Sequence, residues 1–359
     1  MSNPVTDTHI YIANLLLLLE YIFIIQHCKR SQNNTMAATL RSSFHGAAAA
    51  MFLLLFSLLA ALAPTTVATS RSVSSGGTLN GSCIAAERDA LLSFKAGITS
   101  DPSRRLRSWR GQDCCRWYGV SCSARTGHVL KLDLHNDFFE EDYGSFGDDH
   151  VAYWLHGQIS SSILSLHHLK HLDLSGNLLG ENMPIPMFMG CLNSLTYLDL
   201  SNMNFIGRVP PQLGNLTKLV YINMNNFLFA FYALSNSYLS SSDVSWLASL
   251  HTLEHLDMSG VNLSTAVDWV RAISTLPNLR VLHLQNCGLN SSIASLQHHN
   301  LTALEELDLS RNPFNSPTIA PNWYWDVTTL KSLSISDCGF SGPFPDYWVA
   351  CTDQFNPKA

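Results

Sequence analysis

The stretch Leu169 to Asn177, LKHLDLSGN, constrains the chain most, because variants of its skeleton L-x-x-L-x-L-x-x-N return through to the C-terminal part. Leu172 and Leu174 alternate with His171, Asp173 and Ser175. At period two, that pattern turns the leucines to a core and the polar side chains away from it. Asn177 falls where the chain must leave the strand, and its amide can satisfy backbone groups that the turn would otherwise bury unpaired. One copy buries almost nothing, so the core must come from stacking copies. A chain of 359 residues would otherwise suggest two or so globular domains, but an internal repeat overrides that expectation.

The paired strand residues are Leu132/Leu134, Leu172/Leu174, Leu198/Leu200, Ile222/Met224, Leu256/Met258, Leu282/Leu284, Leu307/Leu309 and Leu333/Ile335. These eight coils are spaced 24 to 26 residues apart in five steps, with steps of 40 and 34 where insertions fall. The period and skeleton are those of a leucine-rich repeat. Behind several strands comes a turn such as Phe205, Gly207, Val209 and Pro210, or Phe340, Gly342, Phe344 and Pro345. The Asn position holds Asn177 and Asn312, is replaced by Cys287 and Cys338, and is otherwise Asp137, Met203, Phe227 or Val261. An unbroken Asn ladder is therefore not expected. Cys287 and Cys338 read as buried, unbridged substitutes, since two strand spacings, roughly 9.5 Å, separate them. The insertions, 138–155 and 227–246, read as surface excursions. The first carries Glu140, Glu141, Asp142, Asp148 and Asp149 beside Tyr143, Tyr153 and Trp154.

Residues 83–122 read as a cap over the first coil's apolar end. Ala90, Leu91 and Phe94 have helical spacing with Gly97 as the stop, and Val120–Cys122 and Val129–Leu134 read as strands joined by a turn at Ser123 to Gly127. Upstream, residues 36–68 have the layout of a secretory signal, with Arg41 before the apolar run Ala47 to Ala63 and cleavage expected after Ala68. Residues 1–35 read as an upstream extension, or their run Ile10 to Ile25 as a second hydrophobic element, short for a membrane span. Residues 346–359 lose the leucine spacing, so the array reads as truncated.

The runs ERDALLSFKAGITSDPSRRLRSW, DCCRWYGVSC and TGHVLKLDL resemble the N-terminal cap of plant extracellular leucine-rich-repeat receptor-like proteins. DVSWLASLHTLEHLDMSGVNLSTAVDWV is similar to the subgroup with the fungal-xylanase receptors and Cf-type proteins. The resemblance implies an α/β repeat solenoid, a leucine-rich-repeat superhelix with a concave parallel β-sheet and an N-terminal disulfide-bonded cap. It also implies Cys83 bridged to Cys114 and Cys115 to Cys122. Family members recognise protein, peptide or microbial elicitor ligands and signal through partner kinases in defence, from the cell surface or apoplast, with a membrane anchor in longer forms. Two rival readings are a secreted inhibitor similar to the polygalacturonase-inhibiting proteins and a truncated product without function.

No catalytic motif is present: no P-loop, G-x-G-x-x-G, H-E-x-x-H, G-x-S-x-G or C-x-x-C. A formal charge of −6 offers no basic stripe to nucleic acid. No cofactor and no enzyme activity are expected. His167, His168 and His171 lie close in sequence, but no matching ligands accompany them and no metal is expected. Asp173, Asp199, Asp257 and Asp308 recur at one strand position, which marks architecture and not a unique site. The sharpest candidate is a concave row of Tyr197, Tyr221 and His255, flanked by Asp199, Asn223 and Asp257, because adjacent aromatics beside hydrogen-bonding groups dominate binding hot spots. Sequons at Asn80, Asn215, Asn262, Asn290 and Asn300 are expected to carry sugar in the secretory pathway.

Overall fold

The computed structural model describes residues 82–136, 153–226, 239–290, 300–314 and 323–340, so the acidic insertion before Tyr153, the tail, the signal segment and Asn80 lie outside the described residues. The described residues belong to one compact unit. All eight strand residues predicted to open the coils lie on one parallel ladder. It runs Val129–Asp133, His171–Asp173, Tyr197–Asp199, Tyr221–Asn223, His255–Asp257, Val281–His283, Glu306–Asp308 and Ser332–Ser334, each paired in register with the next. Leu132, Leu172, Leu198, Ile222, Leu256, Leu282, Leu307 and Leu333, which pair in register along the ladder, are all buried, and the residues on either side of each point to the other face, as the period of two requires.

The cap closes the ladder as a ninth, antiparallel strand, Val120–Cys122, hydrogen-bonded to Val129–Asp133. Its helix Ala85–Ala96 buries Ala90, Leu91 and Phe94. Phe94, Trp109 and Trp117 continue that packing, with the two indoles stacked at 5.5 Å between centroids. Both bridges take the pairing expected, Cys83 with Cys114 and Cys115 with Cys122. Gly97 follows the last helical residue, but at φ −77° it is not a left-handed cap. Its missing Cβ instead makes room for the Gln158 carbonyl, 2.9 Å from where that atom would stand.

The backs of the coils are short 3-10 turns, Ser161–Ser165, Met187–Cys191, Pro211–Asn215 and Ser245–Ser249, giving way to the helix Trp269–Ile273. Between front and back, short strands pair a second time: His156–Gly157 with Leu178–Leu179, and Gly207–Arg208 with Leu239–Ser240. The reading of 227–246 as an excursion is corrected at its C-terminal end. Leu239 pairs there, and Leu239, Val244 and Trp246 are buried, so the coil resumes by residue 239. Likewise Leu155 is fully buried, its N–H held by Asn177, and the first excursion ends before it. Gly190 and Gly214 set the closeness of the backs. A Cβ at Gly190 would lie 2.2 Å from the Gln212 carbonyl oxygen, and one at Gly214 would lie 2.7 Å from that of Trp246.

The Asn position works as its chemistry demands. Asn312 accepts from the N–H groups of Cys287 and Leu289 and donates to the carbonyls of Leu284 and Leu309. Cys287 and Cys338 are buried free thiols, and each sulfur lies within reach of a carbonyl of the preceding coil, Met258 at 3.2 Å and Leu309 at 3.1 Å. Met203 and Val261 fill the slot with buried apolar groups. Where the slot holds Asp137 or Phe227, the residue before it, Asn136 or Asn226, is buried and donates to a neighbouring carbonyl, Gly176 or Phe205.

Candidate functional site

The concave face is ruled by two rows of side chains on either side of the buried leucines. In the first, His171, Tyr197, Tyr221 and His255 occupy equivalent positions. Their rings stack face to face with centroids 4.0, 4.2 and 4.3 Å apart and planes within 15° of parallel. Strands about 4.8 Å apart leave neighbouring rings that separation with a slight lean. His171 belongs to this row although the sequence reading began it at Tyr197. The signal was available: His171 directly precedes Leu172, as Tyr197 precedes Leu198. Because the interior ring faces cover one another, the row presents their edges and tips.

The second row explains the recurring carboxylates. In six coils the Asp or Asn at this position accepts, through Oδ1, the N–H two residues on: His135, Ser175, Ser201, Asn225, Ser259 and Ser310. This satisfies the backbone where each strand ends, so the repetition is architectural, as expected. Asp199 does more. Its Oδ2 accepts from the Tyr221 hydroxyl at 3.2 Å and the Asn223 amide at 3.3 Å, with the Tyr197 hydroxyl at 3.5 Å. The structure thus gathers Tyr197, Tyr221 and Asn223 around the Asp199 carboxylate.

Burial, and then the charge of Asp173, push the Asp199 carboxyl up to about 6 against the hydrogen bonds from Ser201 and Tyr221. Burial and then Asp199 raise the Tyr197 and Tyr221 hydroxyls above the ordinary phenol range. Across the face, burial and then His283 lower His255, keeping a neutral ring on the stack. Burial also opposes charge on His283, but Asp257, with Nδ1 to Oδ2 at 3.8 Å, and Glu306, at 2.9 Å from Nε2, overcome it and lift His283 to about 9. Asp257 stays below the usual carboxylate range despite its burial, held there by His283 and Ser259. A neutral stack is therefore bordered by a protonated imidazole clamped between two carboxylates.

These shifts set a pH dependence. Asp199 binds its proton more tightly folded than unfolded, so its contribution to stability is complete below the unfolded carboxylate range near pH 4 and is lost as pH rises through about 6. The ceiling is about 3 kcal/mol. Denaturant unfolding at pH 4.5 and 7 should show Asp199→Asn removing part of the wild-type decline; an identical decline in the variant would locate the titrating group elsewhere.

Residues 84–123 match the leucine rich repeat N-terminal domain and residues 153–351 the leucine-rich repeat region. The chain belongs to the leucine-rich-repeat family, with the plant-type cap at its N-terminal side. It is similar to Receptor-like protein EIX1 of Solanum lycopersicum, 36% identical over 272 residues that are 74% of this chain and 25% of that protein. Receptor-like protein EIX2 of the same plant is 38% identical, over 71% of this chain and 24% of its own length. Receptor-like protein 6 of Arabidopsis thaliana is 30% identical, over 74% and 26%. The chain thus spans about a quarter of the length of these curated relatives. Among solved structures, the Arabidopsis receptor kinase HAESA in complex with the peptide hormone IDA and the co-receptor SERK1 is 25% identical, over 72% of this chain and 45% of that one, with a TM-score of 0.46.

Proposed function

We propose that the chain is an extracellular ligand-recognition module of a plant receptor-like protein, without enzyme activity, that perceives a protein, peptide or microbial elicitor in defence and signals through co-receptor kinases. The observation that carries the reading is the stack of His171, Tyr197, Tyr221 and His255 over the Asp199 carboxylate, set on the concave sheet of a chain similar to receptor-like proteins. Such a row is already stacked and hydrogen-bonded without a ligand, and groups ordered in advance lose less entropy on binding. Its edges offer two hydroxyls and a polar rim to a partner's backbone or hydroxyl groups. Among the described residues, no helix is long and apolar enough to cross a membrane.

The test is a binding titration with a cognate elicitor found by screening fungal and plant peptide fractions. Tyr197→Ala with Tyr221→Ala should weaken binding at least about tenfold, the loss expected of a central aromatic pair. A change below about 0.5 kcal/mol with the fold intact would move the site off this row.

Entry to the secretory pathway has its own readout. The sequon residues Asn262, Asn290 and Asn300 are exposed, and Asn215 is half-buried at the end of a turn on the coil backs. At least three of the five sequons should carry sugar in plant-expressed protein. Glycosidase treatment that left gel mobility unchanged would contradict both the modification and the compartment.

A further inference from the structure

We propose that Glu87, His128 and His168 form a zinc-class metal site that ties the cap to the second coil. The three residues lie on separate pieces of chain, the cap helix, the start of the first coil and the turn leading into the strand His171–Asp173. The fold supplies the ligands that the sequence did not show beside His168. One ligand atom from each lies within 4.8 Å of the others. Glu87 is buried, His128 is half-buried and His168 is exposed, so the cluster opens to solvent on one side only.

The details suit a cation. Glu87 Oε2 accepts the Val129 N–H at 2.7 Å, which fixes the carboxylate and leaves Oε1 turned toward His128 Nδ1 at 2.8 Å. The hydrogen held between those two atoms occupies the place where a metal would bind. Zinc bonds of about 2.0 to 2.2 Å to N and O put tetrahedral ligand atoms about 3.4 Å apart, so the pair opens by roughly 0.6 Å. His168 now stacks on His128 at 3.9 Å between centroids. Parallel rings cannot both aim their nitrogens at one ion, so His168 must swing, and its exposure leaves it free to do so. One carboxylate and two imidazoles are a donor set of intermediate softness, suited to Zn²⁺ and not to the harder Mg²⁺ or Ca²⁺. Zinc at Nδ1 of a neutral ring moves the shared hydrogen to Nε2 by way of solvent, so no net proton is released and no redox change is involved. The ion would join cap and second coil with a link that neither cystine provides.

The experiment uses the purified chain, stripped with EDTA, with ZnCl₂ as the probe. Calorimetric titration and thermal unfolding are run on wild type, His168→Ala and, as a control for adventitious histidine binding, His167→Ala. Wild type and His167→Ala should bind one equivalent and melt several degrees higher with zinc. His168→Ala should melt like wild type without metal, lose the zinc-dependent rise and bind at least about tenfold more weakly. Co²⁺ should give a visible d–d band in wild type that His168→Ala loses. The proposal is overturned if His168→Ala binds and melts as wild type does, or if wild type takes up no zinc at 100-micromolar concentration. Equal loss in the two variants would overturn it too.

Discussion

Replacing Asn177 by alanine is expected to cost about 4 kcal/mol of stability, concentrated at the N-terminal end of the array. The amide is fully buried and uses both of its ends. Nδ2 donates to the carbonyls of Leu134 at 2.8 Å and Leu174 at 2.9 Å, while Oδ1 accepts the Leu155 N–H at 3.1 Å and the Arg105 guanidinium at 2.6 Å. One side chain thus joins the first coil, the second coil and the cap. Alanine takes this partner from the Leu174 carbonyl and the Leu155 N–H in the interior, while Arg105 keeps the Leu134 and His135 carbonyls, and each orphan costs about 1 to 3 kcal/mol. Asn177→Asp should do no better, because it sets an oxygen against the carbonyls that Nδ2 now serves. Since each coil leans only on its neighbours, hydrogen exchange should speed up in the cap and first two coils and stay near wild type around Asn312. A loss under about 1 kcal/mol, or one spread evenly along the array, would contradict the role given to Asn177.

Removing the Cys83 to Cys114 bridge with alanine at both positions is expected to cost nearly as much, about 3.5 kcal/mol. The bridge closes a span of 31 residues, and loop-closure entropy for that length has this size. The shorter bridge, Cys115 to Cys122, closes 7 and should be worth about 2.5 kcal/mol on the same basis. Cys114 is fully buried, and its carbonyl accepts the N–H of Trp117, whose indole stacks on that of Trp109. The double variant should therefore lose the fixed tryptophan environment, read as a lower midpoint of the fluorescence transition in urea. An unchanged midpoint would mean that the indole packing alone holds the cap.

The leucine spacing was enough to place all eight coils, because one buried position per strand is a strong periodic signal whose register the sheet repeats without exception. Tyr197 and Tyr221 could be set side by side for the same reason. What the spacing could not show were groups that converge from distant positions. Glu87 reaches Val129 and His128 across more than forty residues, and no short pattern records that. Asn136 and Asn226 escaped because they sit one residue before the slot that the motif names. Trp246 was misplaced in an excursion because Ser-rich sequence around it looks like loop, while its burial comes from the coil behind it. The pushed-up carboxyl of Asp199 likewise depends on depth, which periodicity does not measure.

The paired strands running along both the front and the shoulder of the coils fix a metre as well as a fold. Equivalent positions on successive coils recur at the sheet spacing of about 4.8 Å, so two coils advance about 9.6 Å. A polyproline II helix advances about 9.3 Å in one turn of three residues. A peptide laid in that conformation along the array would therefore bring every third side chain to a like position on every second coil. The surface would read such a chain in triplets, and the row from His171 to His255 is long enough for only one full step of that reading.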